Sequence, residues 1–167
     1  MENIILIGMP GCGKSTVGVV LAKTLGFDFA DTDLLICRHE GMTLQRIIEE
    51  KGLKYFEDVE CRVGKELSVH NTVVATGGSM VLYPCAMQAL KAMGKVVFID
   101  VDLPELTRRI TNITTRGITF KEGETLESIY KSRRPYYEQY ADITVNICED
   151  SIENTVEKII GILEDQK

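Results

Sequence analysis

The chain has 167 residues, 44% hydrophobic and 26% charged, with a formal net charge of −6. That length supports one well-packed core and is too short for two. The acidic balance excludes a nucleic acid as the main partner, because phosphate backbones demand a surplus of Lys and Arg. The five cysteines (Cys12, Cys37, Cys61, Cys85, Cys148) are odd in number and follow no zinc spacing, which suits a reducing compartment. No apolar run reaches membrane-spanning length and no basic leader precedes the first one. A cytoplasmic protein with no membrane partner is expected.

Ile4 to Ile7 is a continuous apolar run of the length of one buried strand. It leads into Gly8, four residues, then Gly13-Lys14-Ser15, which is the spacing of a phosphate-binding loop. Glycines permit torsions that turn successive N–H groups inward around phosphate oxygens. The helix starting near Lys14 points the positive end of its dipole at the same oxygens. Gly11, Cys12, Gly13, Lys14, Ser15 and Thr16 are therefore the expected nucleotide-binding residues. Lys14 supplies charge for the β/γ-phosphates and the Ser15 hydroxyl a ligand for Mg²⁺. Cys12 reads as a small residue whose backbone N–H faces phosphate, not as a nucleophile.

Val17, Leu21 and Leu25 continue at helical spacing, with Gly26 as a stop signal. Phe27 to Ala30 is a second strand ending at Asp31-Thr32-Asp33, two carboxylates one residue apart at the end of extended chain. Thr43 caps a helix carrying Leu44, Ile47 and Ile48. Beyond Gly52, Phe56, Val59, Val63 and Leu67 mark a longer amphipathic helix. Val73 to Ala75 is a third strand, followed by Gly77-Gly78-Ser79, and Pro84 opens a helix running through Leu90. Lys95 to Ile99 is the fourth strand, closed by Asp100. A helix over Leu103–Ile110 ends in Arg108 and Arg109. Residues 112–123 are polar, lack periodicity and carry Arg116, as a closing lid would. The spacing predicts a helix over Leu126–Tyr137 carrying Arg133 and Arg134, which Pro135 should end or kink near Arg134. Ile143 to Ile147 is the fifth strand. Ser151 caps a last helix with an apolar stripe of Ile152, Val156, Ile159, Ile160 and Leu163.

Strands that are unbroken apolar runs and alternate with helices imply an α/β fold: a five-stranded parallel sheet with helices on both faces and a short lid, in one domain over residues 1–167. In such a sheet the ligand sits beyond the carboxyl ends of the strands. The phosphate loop, Asp31/Asp33, Gly77/Gly78 and Asp100 all follow strand ends, so they should converge. Phosphoryl transfer needs bound Mg²⁺, neutralised charge and a placed acceptor. One of Asp31 and Asp33 can hold Mg²⁺, directly or through water, and the other can orient an acceptor hydroxyl and take its proton. Asp100 is a further candidate for the metal. Arg109 and Arg116 can cover the nucleotide, and Arg133 and Arg134 can bind phosphate or a substrate carboxylate.

Taken together, GMPGCGKST, Asp31-Thr32-Asp33, Gly77-Gly78, Arg116 and the Arg-x-Pro-x-Tyr of Arg133–Tyr137 resemble the shikimate kinases over nearly the whole chain. The resemblance implies a three-layer P-loop kinase fold like that of the nucleoside-monophosphate kinases, and a monomer. It implies ATP-dependent phosphorylation of the 3-hydroxyl of shikimate with Mg²⁺. It assigns Lys14 to phosphate, Ser15 to Mg²⁺, Asp31 to the metal's water shell, Asp33 to the substrate hydroxyls and Gly78 to the substrate through its backbone. Arg109 goes to adenine, Arg116 to phosphate and Arg133 to the substrate carboxylate, with Lys14, Asp33 and Arg116 as the catalytic set.

Three positions depart from the family pattern. Glu57 stands where the family has an arginine of the acceptor site, Ser79 stands in place of a third glycine, and Gly117 follows Arg116 where proline is usual. With Arg133 for a carboxylate, Glu57 suits an ammonium group, as in a hydroxy amino acid such as homoserine; alternatively Arg62, about one turn along, replaces the missing arginine. A non-catalytic nucleotide-binding module is the remaining reading, opposed by the intact Lys14, Ser15, Asp31, Asp33 and Arg116.

Overall fold

The apolar runs of the sequence become the strands β1 (Asn3–Ile7), β2 (Asp28–Asp31), β3 (Thr72–Ala75), β4 (Gly94–Val101) and β5 (Ile143–Ile147). In the computed structural model, which describes residues 3–111, 123–148 and 151–165, they form one sheet in the order β2-β3-β1-β4-β5. Every neighbouring pair is parallel. β1 and β3 are buried along their whole length, whereas β5 alternates buried and exposed residues, as an edge strand does. The central position of β1 puts the loop that follows it at the middle of the sheet's carboxyl edge.

The helices are α1 (Lys14–Leu25), α2 (Thr32–Glu40), α3 (Leu44–Lys51), α4 (Leu53–Glu66), α5 (Pro84–Met93), α6 (Leu103–Thr111), α7 (Leu126–Tyr140) and α8 (Ile152–Asp165). The caps work as read: the Thr43 hydroxyl accepts from the Arg46 N–H, and the Ser151 hydroxyl from the Asn154 N–H. The main core is built on the sheet, while Ile36, Ile47, Phe56 and Val59 form a smaller one joining α2, α3 and α4. Of the α8 stripe, Val156 and Ile159 are buried and Ile152 is exposed.

Three expectations are corrected. α2 went unread, because its start overlaps the end of β2: Asp31 is the last strand residue and also the N-cap, its Oδ1 accepting from the N–H groups of Asp33 and Leu34. Asp33 is therefore in the first turn of a helix, not on a face of extended chain. Asp100 lies inside β4 rather than after it. Pro135 does not end α7, which runs on to Tyr140. The turn beyond the proline is held by tertiary contacts: Tyr137 is buried, stacks on Phe98 at 5.2 Å and donates its hydroxyl to the Gly78 carbonyl at 2.6 Å. The lid expected over 112–123, with Arg116 and Gly117, lies outside the described residues except for Gly123.

α4 and α5 pack closely because Gly64 has no side chain. A Cβ there would lie 2.9 Å from the Ala86 Cβ and 2.5 Å from the Met80 Sδ. Gly64→Ala gains about 1 kcal/mol of helix propensity but forces the helices apart at a cost of roughly 1–3 kcal/mol. A lowered urea midpoint is expected; an unchanged one would show that α4 can shift freely.

Candidate active site

The backbone of the phosphate loop builds one wall of a cavity of about 520 Å³, a volume suited to small ligands. Gly11 and Gly13 adopt φ of +79° and +97°, which lets the chain wrap over the start of α1. Gly11, Gly13, Lys14, Ser15 and Thr16 all line the cavity. Cys12 does not: its side chain is buried and its N–H donates to the Met9 carbonyl at 3.2 Å. The Lys14 ammonium donates to the carbonyls of Gly8 and Met9 at 2.8 Å each, which holds it against the loop. Arg109 reaches the loop from α6, with Nη1 3.1 Å from the Cys12 carbonyl oxygen and Nε bonded to Glu105 at 2.7 Å.

The Ser15 hydroxyl donates to Asp31 Oδ2 at 2.6 Å. A hydroxyl and a carboxylate this close, beside a phosphate loop, are the hard oxygen donors that Mg²⁺ takes, keeping its other positions for phosphate oxygens and water. The residues fit the ion. Asp100 is not available to join them, because Arg134 grips it through two bonds of 2.6 Å. Its candidacy as a metal ligand is corrected by that pairing.

Across the cavity lie Asp33, Glu57, Glu60, Gly78, Ser79 and Arg133. The two adjacent arginines part company: Arg133 lines the cavity, whereas Arg134 is committed to Asp100, Tyr130 and Glu138. Arg62 also leaves the site, lying on an exposed face 3.9 Å from Glu40, so it does not replace an acceptor-site arginine.

Gly77 explains how two carboxyl groups crowd together here. A Cβ at that position would lie 2.6 Å from Glu60 Oε1 and 2.8 Å from Asp33 Oδ1. The Gly77 N–H is fixed by the buried Thr32 hydroxyl at 2.9 Å. Burial and the nearby Asp31 charge push Asp33 up to about 6, against the pull of Lys14.

Glu60 was not singled out from the sequence, though the signal was present: it follows Phe56 by four residues on the apolar stripe of α4, where a carboxyl is out of place. It is almost fully buried, with the Ser79 Oγ 2.7 Å from both carboxyl oxygens and the Tyr83 hydroxyl 3.0 Å from Oε2. The Ser79 and Tyr83 hydroxyls offer one proton to each carboxyl oxygen. Burial nonetheless pushes Glu60 up to about 7, against the pull of those bonds.

A carboxyl raised in the folded state holds its proton there while the unfolded chain has released it. Stability is therefore lost as pH rises from the ordinary 4.5 to about 7. The shift corresponds to roughly 3 kcal/mol. Relative to Glu60→Gln, the native protein should lose about that much between pH 4.5 and 7.5, read from urea midpoints. Parallel pH profiles for the two would refute the assignment.

A phosphate loop at the centre of a parallel sheet, facing carboxyl groups and a guanidinium across one cavity, defines a P-loop phosphotransferase for a small acceptor. The comparisons with known proteins agree. The shikimate kinase family model matches residues 10–164. A shikimate kinase of Clostridium botulinum (strain Okra / Type B1) is 38% identical over 165 residues, covering 96% of this chain and 95% of the relative. One from Caldanaerobacter subterraneus subsp. tengcongensis is 34% identical over 163 residues, covering 96% and 95%. The solved shikimate kinase from Acinetobacter baumannii in complex with shikimate superposes with a TM-score of 0.92 at 31% identity, covering 100% of this chain and 95% of that one. The chain belongs to the shikimate kinase family, ATP-dependent kinases. A deoxyadenosine kinase from M. mycoides shares the fold alone, with a TM-score of 0.61 at 16% identity. Among the described residues no helix is long and apolar enough to cross a membrane.

Proposed function

We propose that this protein transfers the terminal phosphoryl group of ATP to a hydroxyl of shikimate, using Mg²⁺. The observation that carries the reading is one cavity with Lys14, Ser15 and Thr16 on its nucleotide side and Asp33 and Arg133 on its acceptor side. The loop amides and Lys14 hold the phosphates. Ser15 and Asp31 would hold Mg²⁺, directly or through water, and a bound ion would supply charge neutralisation at the phosphate oxygens. Asp33 orients the acceptor hydroxyl and accepts its proton; a carboxyl near 6 is ionised at neutral pH and basic enough for the task. Arg133 takes the acceptor carboxylate, and the Gly78 backbone borders the acceptor. Arg109 covers the nucleotide from α6. The role of Arg116 in neutralising the departing phosphoryl group rests on the sequence resemblance.

A second reading is favoured by one observation: Glu57 lines the same cavity as Arg133. A carboxylate and a guanidinium around one acceptor suit a zwitterion, such as the hydroxy amino acid homoserine. A coupled ADP-release assay with Mg-ATP tests both. Stimulation by shikimate and not by homoserine supports the first reading; stimulation by the amino acid alone overturns it in favour of the second. Slow ATP hydrolysis that no acceptor stimulates would reduce the protein to a nucleotide-binding module.

A further inference from the structure

Cys61 and Cys85 are 24 residues apart in sequence, yet their Sγ atoms lie 3.2 Å apart. Cys61 is on α4, one turn before Gly64, and Cys85 is in the first turn of α5, next to Ala86. The close approach of the helices at Gly64 and Ala86 therefore brings the two thiols together. Neither cysteine is disulfide-bonded; Cys61 is half-buried and Cys85 is exposed. A disulfide needs its sulfurs at about 2.05 Å, so roughly 1 Å of further approach closes the bond. Cys85 stands in the first turn of α5, directly after Pro84, and is exposed.

We propose that Cys61 and Cys85 form a dithiol–disulfide modification site that reacts with a low-molecular-weight disulfide and ties α4 to α5 beside the acceptor side of the cavity. Cys85, as the exposed member, attacks the small disulfide through its thiolate, forming a mixed disulfide and releasing one small thiolate. Cys61 then gives up its proton and attacks the Cys85 sulfur, expelling the second thiolate. Two cysteine thiols and one small disulfide become one protein disulfide and two small thiols, with two electrons passing to the reagent. Burial and the neighbouring Cys85 push the Cys61 thiol up, which makes it the poorer first attacker on a reagent from solvent.

The site is coupled to the cavity by its neighbours. Glu60 directly precedes Cys61, Tyr83 stands two residues before Cys85, and the Tyr83 hydroxyl donates to Glu60 at 3.0 Å. Glu57, one turn before Cys61, also lines the cavity. Drawing the two sulfurs together shifts Tyr83 against Glu60, so closing the bond is felt by the acceptor and not by the nucleotide loop. This last step rests on the reading of the acceptor side given above.

The test uses the full chain treated with oxidised glutathione, then alkylated and mapped without reduction. The expected results are a peptide linking Cys61 to Cys85 and a melting temperature raised by roughly 5 °C. An acceptor KM moved at least threefold at unchanged ATP KM is also expected, with every change reversed by dithiothreitol. Cys85→Ser should match the unmodified protein under reducing conditions and fail to respond to oxidation. Cys61→Ser should stop at a Cys85–glutathione adduct. A persistent adduct on Cys85 in the unsubstituted protein, or a linked peptide with an unmoved acceptor KM, overturns the proposal. If shikimate fails to stimulate the reduced enzyme, the acceptor reading fails separately. The KM is then taken with whichever hydroxy acceptor drives ADP release, while the linked peptide and the melting shift are read without any acceptor.

Discussion

Asp33→Asn is expected to lower kcat roughly a thousandfold, within the range that general acid–base groups contribute, while ATP affinity stays within about twofold. The substitution is clean for a structural reason. The backbone of residue 33 is held by the Asp31 cap and by the first turn of α2, not by its own side chain. Asparagine keeps the shape and loses the negative charge and the basic oxygen. ATP binding depends on the loop and Lys14, which do not need Asp33. Steady-state ADP release paired with calorimetric ATP titration checks both halves, and near-full activity would remove Asp33 from the chemistry. In the unsubstituted enzyme the rate should rise with pH through about 6, because Asp33 must be ionised to act. Asp33 also raises Glu60, so the asparagine variant should shift the stability profile governed by Glu60 toward lower pH.

Arg134→Ala is expected to cost about 3 kcal/mol, because removing one member of a buried pair strands the other charge. The Asp100 side chain is 8% exposed and that of Arg134 33%, so the effect belongs at the lower end for such pairs. Arg134 makes two 2.6 Å bonds to Asp100, one of 2.7 Å to the Tyr130 hydroxyl, and lies over the rings of Phe98 and Tyr130. Lysine cannot reproduce that fork or the stacking, so Arg134→Lys should recover only part of the loss. In thermal melts the alanine variant should fall by roughly 5–10 °C. Its kinetics, measured well below that temperature, should remain near those of the parent. Arg133→Ala should do the opposite, raising the acceptor KM with a small effect on melting. A loss of activity at Arg134 that matched the loss at Arg133 would show that both guanidinium groups serve the acceptor.

The phosphate loop, the five strands and most helices were legible in the sequence because each rests on a local rule: an unbroken apolar run, a cap three residues before its partner, a glycine at a left-handed stop. Asp33, Gly78 and Arg133 were named from motifs, and they do line one cavity. What the chain could not disclose by itself were choices made across the fold. Whether Pro135 ends α7 was decided by Tyr137, whose ring packs on Phe98 of β4 and whose hydroxyl meets Gly78. Which of two adjacent arginines faces the cavity was decided by the position of Asp100 within β4, opposite α7. The Cys12 amide was taken by a carbonyl three residues back, and the Glu60 carboxyl was enclosed by Ser79 and Tyr83 from beyond the next strand. Local sequence determines torsions and periodicities, which depend on neighbours a few residues away. The partner of a buried polar group depends on where distant segments end up, because only the packed chain excludes the water that would otherwise satisfy it.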